Sequence, residues 1–233
     1  MQQNLKDRGL YTGVIDGDVG PASLQGLAEY VTDGAAPDDI GRQLAKWLPI
    51  GNIEGRTLVT AFLAHAATES KLRPIAENLN YSVDGLIESF GRHRISIAEA
   101  QKYGRAPGRP ANQEMIANIV YGGEWGRKNL GNTQPGDGWE RRGMGIIQNT
   151  GRAAQREAGK RVGMDFEARP ELLLTLEGAV AGAVGFWIWK GLNAICMQPG
   201  DTTEAETRAI NGGFNGLEER RRNKTRLRQI WPY

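Results

Sequence analysis

Apolar side chains recur at helical spacing along most of the chain. The clearest helix begins near Thr57, a suitable N-cap, and Pro74 limits it to about Arg73 or earlier. One face of this helix carries Leu58, Phe62, His65 and Glu69. Further helices are predicted over 82–90, 96–103, 111–121, 150–161, 170–190, 202–211 and 216–230. The pattern therefore predicts a mainly α protein.

Loops rich in Gly, Asn and Pro separate these helices, notably 104–110 and 122–145. Alternating apolar and polar positions are scarce, so we expect at most a small hairpin. The stretch 121–150 combines glycines, amides, charges and two tryptophans. Glycines let the backbone approach a ligand closely, and aromatic faces stack on sugar rings. A loop of this length in a compact domain is typical of a functional site.

The chain divides into three predicted parts. Residues 1–33 form a short N-terminal segment with a Gly/Asp-rich turn and Pro21 near a helix start. Residues 34–54 form a linker and one helix, which Asp38 or Asp39 can cap. Residues 55–233 form the expected catalytic domain.

Composition removes several classes of function. Lys and Arg number 29 against 27 Asp and Glu, a net charge of +2 that does not indicate nucleic-acid binding. One cysteine, Cys196, excludes an internal disulfide, and two distant histidines argue against a zinc site. We therefore expect no metal and no cofactor. The longest apolar run, 178–189, is far shorter than the ~20 residues that cross a bilayer.

Two carboxylates are the candidate chemistry. Glu69 lies on an otherwise apolar helix face near the C-terminal end, where burial and the helix dipole both favour the protonated form of a general acid. A solvated side chain at a frayed helix end is the alternative. Glu77 follows Pro74, and the turn can bring it back toward Glu69. Two carboxyls roughly 6.5–9.5 Å apart are typical of inverting glycosidases, although a lone loop Glu is usually just exposed.

Three ordered blocks of sequence resemble the family 19 glycoside hydrolases, with the closest likeness to their phage endolysin branch. The blocks are TLVTAFLAHAATESKLRPIAENLNYSVDGL, YGGEWGRKNLGNTQPGDGWERRGMGIIQNTGR and INGGFNGLEERR, and the match spans roughly residues 55–225. Separately, GLYTGVIDGDVGPAS resembles the core motif of peptidoglycan-binding modules. The resemblance implies a bilobed, lysozyme-like helical fold that hydrolyses β-1,4 bonds between aminosugars with inversion.

The resemblance also implies roles for particular residues. Glu69 matches the general acid, Glu77 the base, and Thr150 a hydroxyl that helps to place the attacking water. Substrate-binding or cleft positions are implied for Gln148, Asn211, Tyr81, Asn80 and Trp139, and Arg220 matches an arginine that orients a catalytic carboxylate. Departures from the family pattern are Thr68 for a histidine, Met144 for an arginine and Asn149 for a leucine.

The function expected from these residues is that of a monomeric endolysin that hydrolyses peptidoglycan. The N-terminus has no basic region followed by an apolar run, so we expect a host-cytoplasmic protein that a separate membrane-permeabilising protein releases to the periplasmic side of the wall. Three alternatives stay open: a chitinase, a lytic transglycosylase that forms an anhydro sugar, and a non-catalytic wall-binding protein.

The C-terminal tail has two interpretations. Residues 217–233 carry six bases and two acids and end in apolar side chains, a pattern that can bind anionic envelope lipids. The same pattern is expected of a terminal helix that packs on the domain through Leu227, Ile230 and Trp231.

Overall fold

Fourteen α-helices and one pair of very short strands form the protein in the computed structural model, which describes residues 1–232. The first seven helices are α1 (Gln2–Lys6), α2 (Pro21–Thr32), α3 (Ile40–Trp47), α4 (Gly55–Ser70), α5 (Val83–Phe90), α6 (Ile97–Tyr103) and α7 (Gln113–Val120). The next seven are α8 (Gly123–Leu130), α9 (Asp137–Glu140), α10 (Arg152–Val162), α11 (Leu176–Trp189), α12 (Leu192–Cys196), α13 (Thr203–Asn211) and α14 (Leu217–Ile230). The predicted mainly α fold is confirmed.

Two separate hydrophobic clusters give the protein two lobes. The larger cluster is built mainly from α2, α3, α4, α11 and α14, and its largest fully buried side chain is Trp187. The smaller cluster joins α5, α6 and α7 through side chains such as Leu86, Phe90 and Ile116. Each lobe buries its own apolar surface, and a groove lies between the two lobes.

Helix α11 runs through the larger lobe and is buried on every side from Gly178 to Trp187. Gly185 lets α10 approach it closely, since a Cβ there would lie 2.2 Å from the carbonyl oxygen of Ala158. The predicted helix 170–190 is in fact a 3₁₀ turn over Pro170–Leu174 followed by α11. Thr175 separates the two by accepting a hydrogen bond from the amide of Gly178, as an N-cap does.

The strands β1 (Ile75–Ala76) and β2 (Met144–Gly145) pair antiparallel, with Ile75 opposite Gly145. They come from segments almost seventy residues apart, so the sheet is as small as expected but is a long-range pair rather than a hairpin. This pairing fastens the segment after α4 to the loop before α10. It thereby brings the two sequence blocks that carry the candidate chemistry together.

The stretch 122–145 is not the irregular loop that its glycines predict, because it contains α8 and α9. Asp137 holds this stretch together. It is 1% exposed and accepts hydrogen bonds from the amides of Thr133 and Gln134 and from the side chain of Arg152. Burial works to raise the pKa of Asp137, but these donors outweigh it and lower that pKa. Tertiary contacts, rather than local propensity, hold these short helices.

The start of α4 also differs slightly from the prediction. Helix α4 begins at Gly55 with Glu54 as its N-cap, two residues before Thr57 is reached, and it ends at Ser70. Lys71 follows in the left-handed conformation, with φ 55°, and turns the chain away from the helix axis.

The N-terminal segment 1–33 packs into the larger lobe. Leu5, Leu24 and Leu27 belong to the same hydrophobic cluster as α4 and α11. Gln2 organises the Gly/Asp-rich turn, because its side-chain oxygen accepts from the amides of Asp16 and Gly17. Wall binding by this segment stays a prediction.

Helix α14 is packed rather than free. Leu227 and Ile230 are 0% and 1% exposed in the larger cluster, and Trp231 packs against it. Arg226 donates to the Asp33 carboxylate and to the carbonyl oxygen of Tyr30, which ties the tail to α2. These contacts match the packed-helix interpretation of the tail; lipid binding stays a prediction.

No helix within residues 1–232 combines the length and the apolar character that a membrane span requires.

Candidate active site

Glu69 lies in the last turn of α4, and its side chain is 18% exposed. The guanidinium of Arg220, from α14, donates from Nη2 to Oε1 of Glu69. Arg220 is only 1% exposed, so it lies behind the carboxyl rather than in solvent. The interpretation of Glu69 as a solvated side chain at a frayed helix end is therefore wrong.

Glu77 follows β1 directly and is half-buried. Its Oε1 accepts a 2.7 Å hydrogen bond from the hydroxyl of Tyr121, and its Oε2 accepts a 3.4 Å bond from the amide of Gly143. Burial, and after it the negative charge of Glu77, raises the pKa of Tyr121, so this hydroxyl remains a donor. These bonds fix Glu77 at the strand pair with a defined orientation.

Gln148 and Thr150 lie on the turn after β2. Gln148 takes the left-handed conformation, with φ 57°, and donates to the carbonyl oxygens of Ile75 and Gly145 at 3.1 and 2.8 Å. Thr150 donates to the carbonyl oxygen of Gln148 at 3.1 Å. A Cβ at Gly143 would lie 2.7 Å from Oε1 of Gln148 and 3.3 Å from Oγ1 of Thr150. A side chain at position 143 would therefore shift the Gln148 amide from its place beside Glu77.

A cleft of about 820 Å³ between the lobes brings most of the predicted site residues together. Its walls include six of them: Glu69, Glu77, Tyr81, Gln148, Thr150 and Asn211. Asn211 lies at the end of α13, where its amide donates to the carbonyl oxygen of Asn215 at 3.0 Å. Its volume is in the range of ligand-binding clefts, and two carboxylates lie on its lining.

Three predicted residues lie off the cleft walls. Arg220 lies behind Glu69, as its expected orienting role requires. Asn80 is exposed, and Trp139 packs on the smaller cluster beneath the guanidinium of Arg142, 3.6 Å from the ring centre. Neither Asn80 nor Trp139 lines this cleft, and substrate contacts by these two residues stay predictions.

Several cleft residues escaped the sequence analysis. Tyr121 carries the hydrogen bond to Glu77, yet an isolated tyrosine at a helix end gives no signal of such a role. Apolar and cationic walls come from Phe186, Trp189, Lys190 and Arg208. Phe186 and Trp189 end an apolar run that the sequence pattern assigns to the core. The pattern therefore does not indicate that these two side chains also line the cleft.

His65 is the partner of Arg220 on its other side. Its Nδ1 lies 2.6 Å from Nη1 of Arg220, and its Nε2 lies 2.8 Å from Oε2 of Glu206. Burial lowers the pKa of His65 to about 4, which the bond to Glu206 only partly offsets. The sequence placed His65 on the face of Glu69, but Glu206 and Lys224, which complete this cluster, lie about 140 residues or more away along the chain.

No group of three or more His, Cys, Asp or Glu side chains within residues 1–232 is arranged to hold a metal ion. Burial raises the pKa of the Cys196 thiol, and Glu206 adds to that effect.

A two-lobed helical fold with two carboxylates in an interlobe cleft is the arrangement of a glycoside hydrolase. No family model matches the chain. A glycosyl hydrolase family 19 domain-containing protein of Haemophilus influenzae is 37% identical over 162 residues, which cover 68% of this chain and 72% of that protein. The chain therefore belongs to glycosyl hydrolase family 19 and is a glycosidase.

The crystal structure of chitinase C from Streptomyces griseus has the same fold. It is 18% identical, with a TM-score of 0.52, and the likeness covers 94% of this chain and 79% of chitinase C. The lysozyme-like helical fold implied by the sequence is thereby confirmed.

Proposed function

We propose that this glycosidase is an endolysin that hydrolyses β-1,4 bonds between the aminosugars of peptidoglycan and inverts the anomeric centre. The observation that carries the proposal is that Glu69 and Glu77, held by different elements, line one cleft together with Thr150, Gln148 and Asn211. A pair of carboxyls with room for a water between base and sugar is the inverting arrangement.

The proposed reaction starts with Glu69 protonated. Arg220 occupies Oε1, so Oε2 carries the proton that passes to the glycosidic oxygen as the C–O bond breaks. Positive charge develops on the sugar, and negative charge develops on Glu69 beside the Arg220 guanidinium. Both charges are better stabilised in the transition state than in the ground state, which lowers the barrier.

Glu77 acts as the base in this proposal. A water molecule bound between Glu77 and Thr150 gives one proton to the Glu77 carboxylate while its oxygen bonds to the anomeric carbon on the face opposite the leaving group. Tyr121 and the Gly143 amide hold the Glu77 oxygens and thus fix the direction of proton transfer. The product is a free reducing sugar of inverted configuration.

Two cations in the cleft favour peptidoglycan over chitin. Lys190 and Arg208 line the same walls as the carboxylates. Lys190 lies over the ring of Trp189, 4.3 Å from its centre, and forms no salt bridge with any residue from 1 to 232. The peptide stems of peptidoglycan carry carboxylates, whereas chitin is uncharged. An unpaired cation beside an aromatic face therefore suits an acidic glycan better than a neutral one.

Product analysis tests this proposal. Purified peptidoglycan and chitin oligomers are incubated with the enzyme, and the products are read by mass spectrometry and by proton NMR of the anomeric signals. We expect muropeptides with an added water and an initially inverted anomer, together with a lower kcat/KM for peptidoglycan in Lys190→Ala. Anhydro products would indicate a lytic transglycosylase, and faster release from chitin would indicate a chitinase. Absence of products from both polymers would contradict glycan hydrolysis.

A further inference from the structure

Four buried ionisable side chains form a continuous hydrogen-bonded cluster behind the cleft. His65, Glu206, Arg220 and Lys224 are each 3% exposed or less. They come from α4, α13 and α14, and Arg220 connects the cluster to Glu69 on the cleft wall. Burying four such groups is costly unless each is paired, so their mutual contacts decide what the cluster does.

The contacts of His65 fix which ring nitrogen carries the proton. Glu206 is a carboxylate, and Oε2 can only accept, so Nε2 of His65 donates across the 2.8 Å contact. Nδ1 is then an unprotonated acceptor, and Arg220 donates to it from Nη1 at 2.6 Å. A protonated imidazole would have no lone pair for this guanidinium. Burial, which lowers the pKa of His65, keeps the ring neutral at neutral pH.

The charges of the cluster pair off in a particular way. Lys224 donates to Oε1 of Glu206 at 2.7 Å, and Thr202 donates to the same oxygen. Burial works to raise the pKa of Glu206, but the donors from His65 and Lys224 outweigh it and lower that pKa. The positive charge of Lys224 therefore balances the negative charge of Glu206. Because the ring of His65 is neutral, it does not neutralise the positive charge of Arg220.

Arg220 has few other restraints. Its guanidinium bonds go to His65 and Glu69, and its buried Nε has no hydrogen-bond partner among residues 1–232. Without the acceptor at His65, only the bond to Glu69 would orient the guanidinium. A carboxylate in place of His65 would hold Arg220 equally well but would neutralise the charge that Glu69 needs.

We propose that His65 is a positioning residue for the general acid: as a neutral acceptor anchored by Glu206, it aims the Arg220 guanidinium at Oε1 of Glu69. This role rests on the proposed function, in which Glu69 gives up the proton from Oε2. As that proton leaves, the acceptor becomes negatively charged as well, so the bond from Arg220 becomes an ion pair and strengthens. The imidazole thus acts on the reaction through Arg220 and never touches the sugar.

Two substitutions separate the two hydrogen bonds of His65. In His65→Asn, the amide oxygen can take the place of Nδ1 and accept from Arg220, while the bond to Glu206 is lost. In His65→Gln, the amide nitrogen can take the place of Nε2 and donate to Glu206, while the acceptor for Arg220 is lost. Both variants leave a neutral amide in the same cavity, so a purely structural role would not distinguish them in kcat.

The kinetic test compares kcat and KM on a soluble glycan that the wild type hydrolyses, with Tm as the check of folding. We expect His65→Gln to lower kcat by about ten- to hundredfold, while KM changes by less than about twofold. Losses of this size are typical when a residue that orients a functional side chain, such as a metal ligand, is replaced. His65→Asn keeps most of kcat. The matched substitutions His93→Gln and His93→Asn, at the other histidine, leave both parameters unchanged. Equal kcat in the two His65 variants, or a loss confined to KM, would overturn the positioning role.

Nitrogen-15 NMR of the wild-type imidazole provides a second measurement that needs no substrate or variant. We expect His65 to be neutral at pH 7 with its proton on Nε2. A proton on Nδ1, or on both nitrogens, would overturn the proposal. A wild type that hydrolyses neither peptidoglycan nor chitin would overturn the proposed function instead, and the NMR result would still decide whether His65 accepts from Arg220.

Discussion

At the scale of single residues, each carboxylate of the cleft is held by a side chain from a distant segment: Arg220 donates to Glu69, and Tyr121 donates to Glu77. Glu69 and Glu77 were found through helical spacing and the motifs around them, and both line the cleft. The contact of Arg220 with Glu69 was expected from the family resemblance. Tyr121 was not identified as the partner of Glu77, nor His65 as the partner of Arg220, because hydrogen bonds between segments 44 and 155 residues apart leave no local pattern.

Asn149 carries a prediction about stability. It is 0% exposed, and neither its Nδ2 nor its Oδ1 has a hydrogen-bond partner within residues 1–232. A buried unpaired polar group costs about 1–3 kcal/mol. We therefore expect Asn149→Leu, a side chain of similar size, to raise the free energy of unfolding by about 1–2 kcal/mol. Urea denaturation measures this change, and a destabilised variant would show that the amide is satisfied in solution.

His65 carries a prediction about pH. Its pKa falls from 6.5 to about 4 on folding, so the unfolded chain takes up a proton in this range before the folded protein does. The stability conferred by the neutral ring is complete above pH 6.5 and is lost as the pH falls toward 4, a loss of ~3 kcal/mol.

The groups that face His65 are Glu206 from α13 and Arg220 and Lys224 from α14. The lowered pKa of Glu206 acts in the same direction, but at lower pH. Unfolding by urea at several pH values should show that His65→Gln loses less stability than the wild type between pH 6.5 and 5. Parallel pH profiles of the two proteins would contradict the lowered pKa of His65.

At the scale of elements, helices with strong apolar periodicity were predicted to within a few residues, as α5, α10 and α14 show. The elements that were missed depend on distant contacts. Helix α9 consists largely of residues with low helix propensity, and its Asp137 is held by Arg152. The strands β1 and β2 are two residues each, too short for any alternation to appear.

The packing of α14 leads to a prediction at this scale. Leu227→Ala should lower the free energy of unfolding by about 2–5 kcal/mol, because it removes a fully buried side chain from the larger cluster. Arg222→Gln, an exposed position on the same helix, is the control and should change stability by less than about 0.5 kcal/mol. Unchanged stability in Leu227→Ala would mean that the helix is not anchored by its apolar face.

At the scale of the whole molecule, the N-terminal segment and the cleft-bearing part share one hydrophobic cluster. The sequence indicated a separate segment because Gly/Asp-rich turns and a polar loop follow it, and such breaks also occur within a single folded unit. We expect one cooperative unfolding transition, which Leu27→Ala shifts as a whole by about 2–5 kcal/mol. The control is Val14→Ala, since Val14 is 77% exposed. Two calorimetric transitions, only one of which moves, would contradict the shared core.

Hydrolysis by this protein depends above all on proton donation by Glu69. The most direct measurement is kcat of Glu69→Gln on a soluble glycan, with Tm recorded beside it and the exposed substitution Glu114→Gln as a matched control. The amide oxygen can still accept from Arg220, so we predict a folded protein whose kcat is about 10²–10⁴-fold lower, while the control stays at the wild-type rate. A folded Glu69→Gln protein with wild-type kcat would contradict the account.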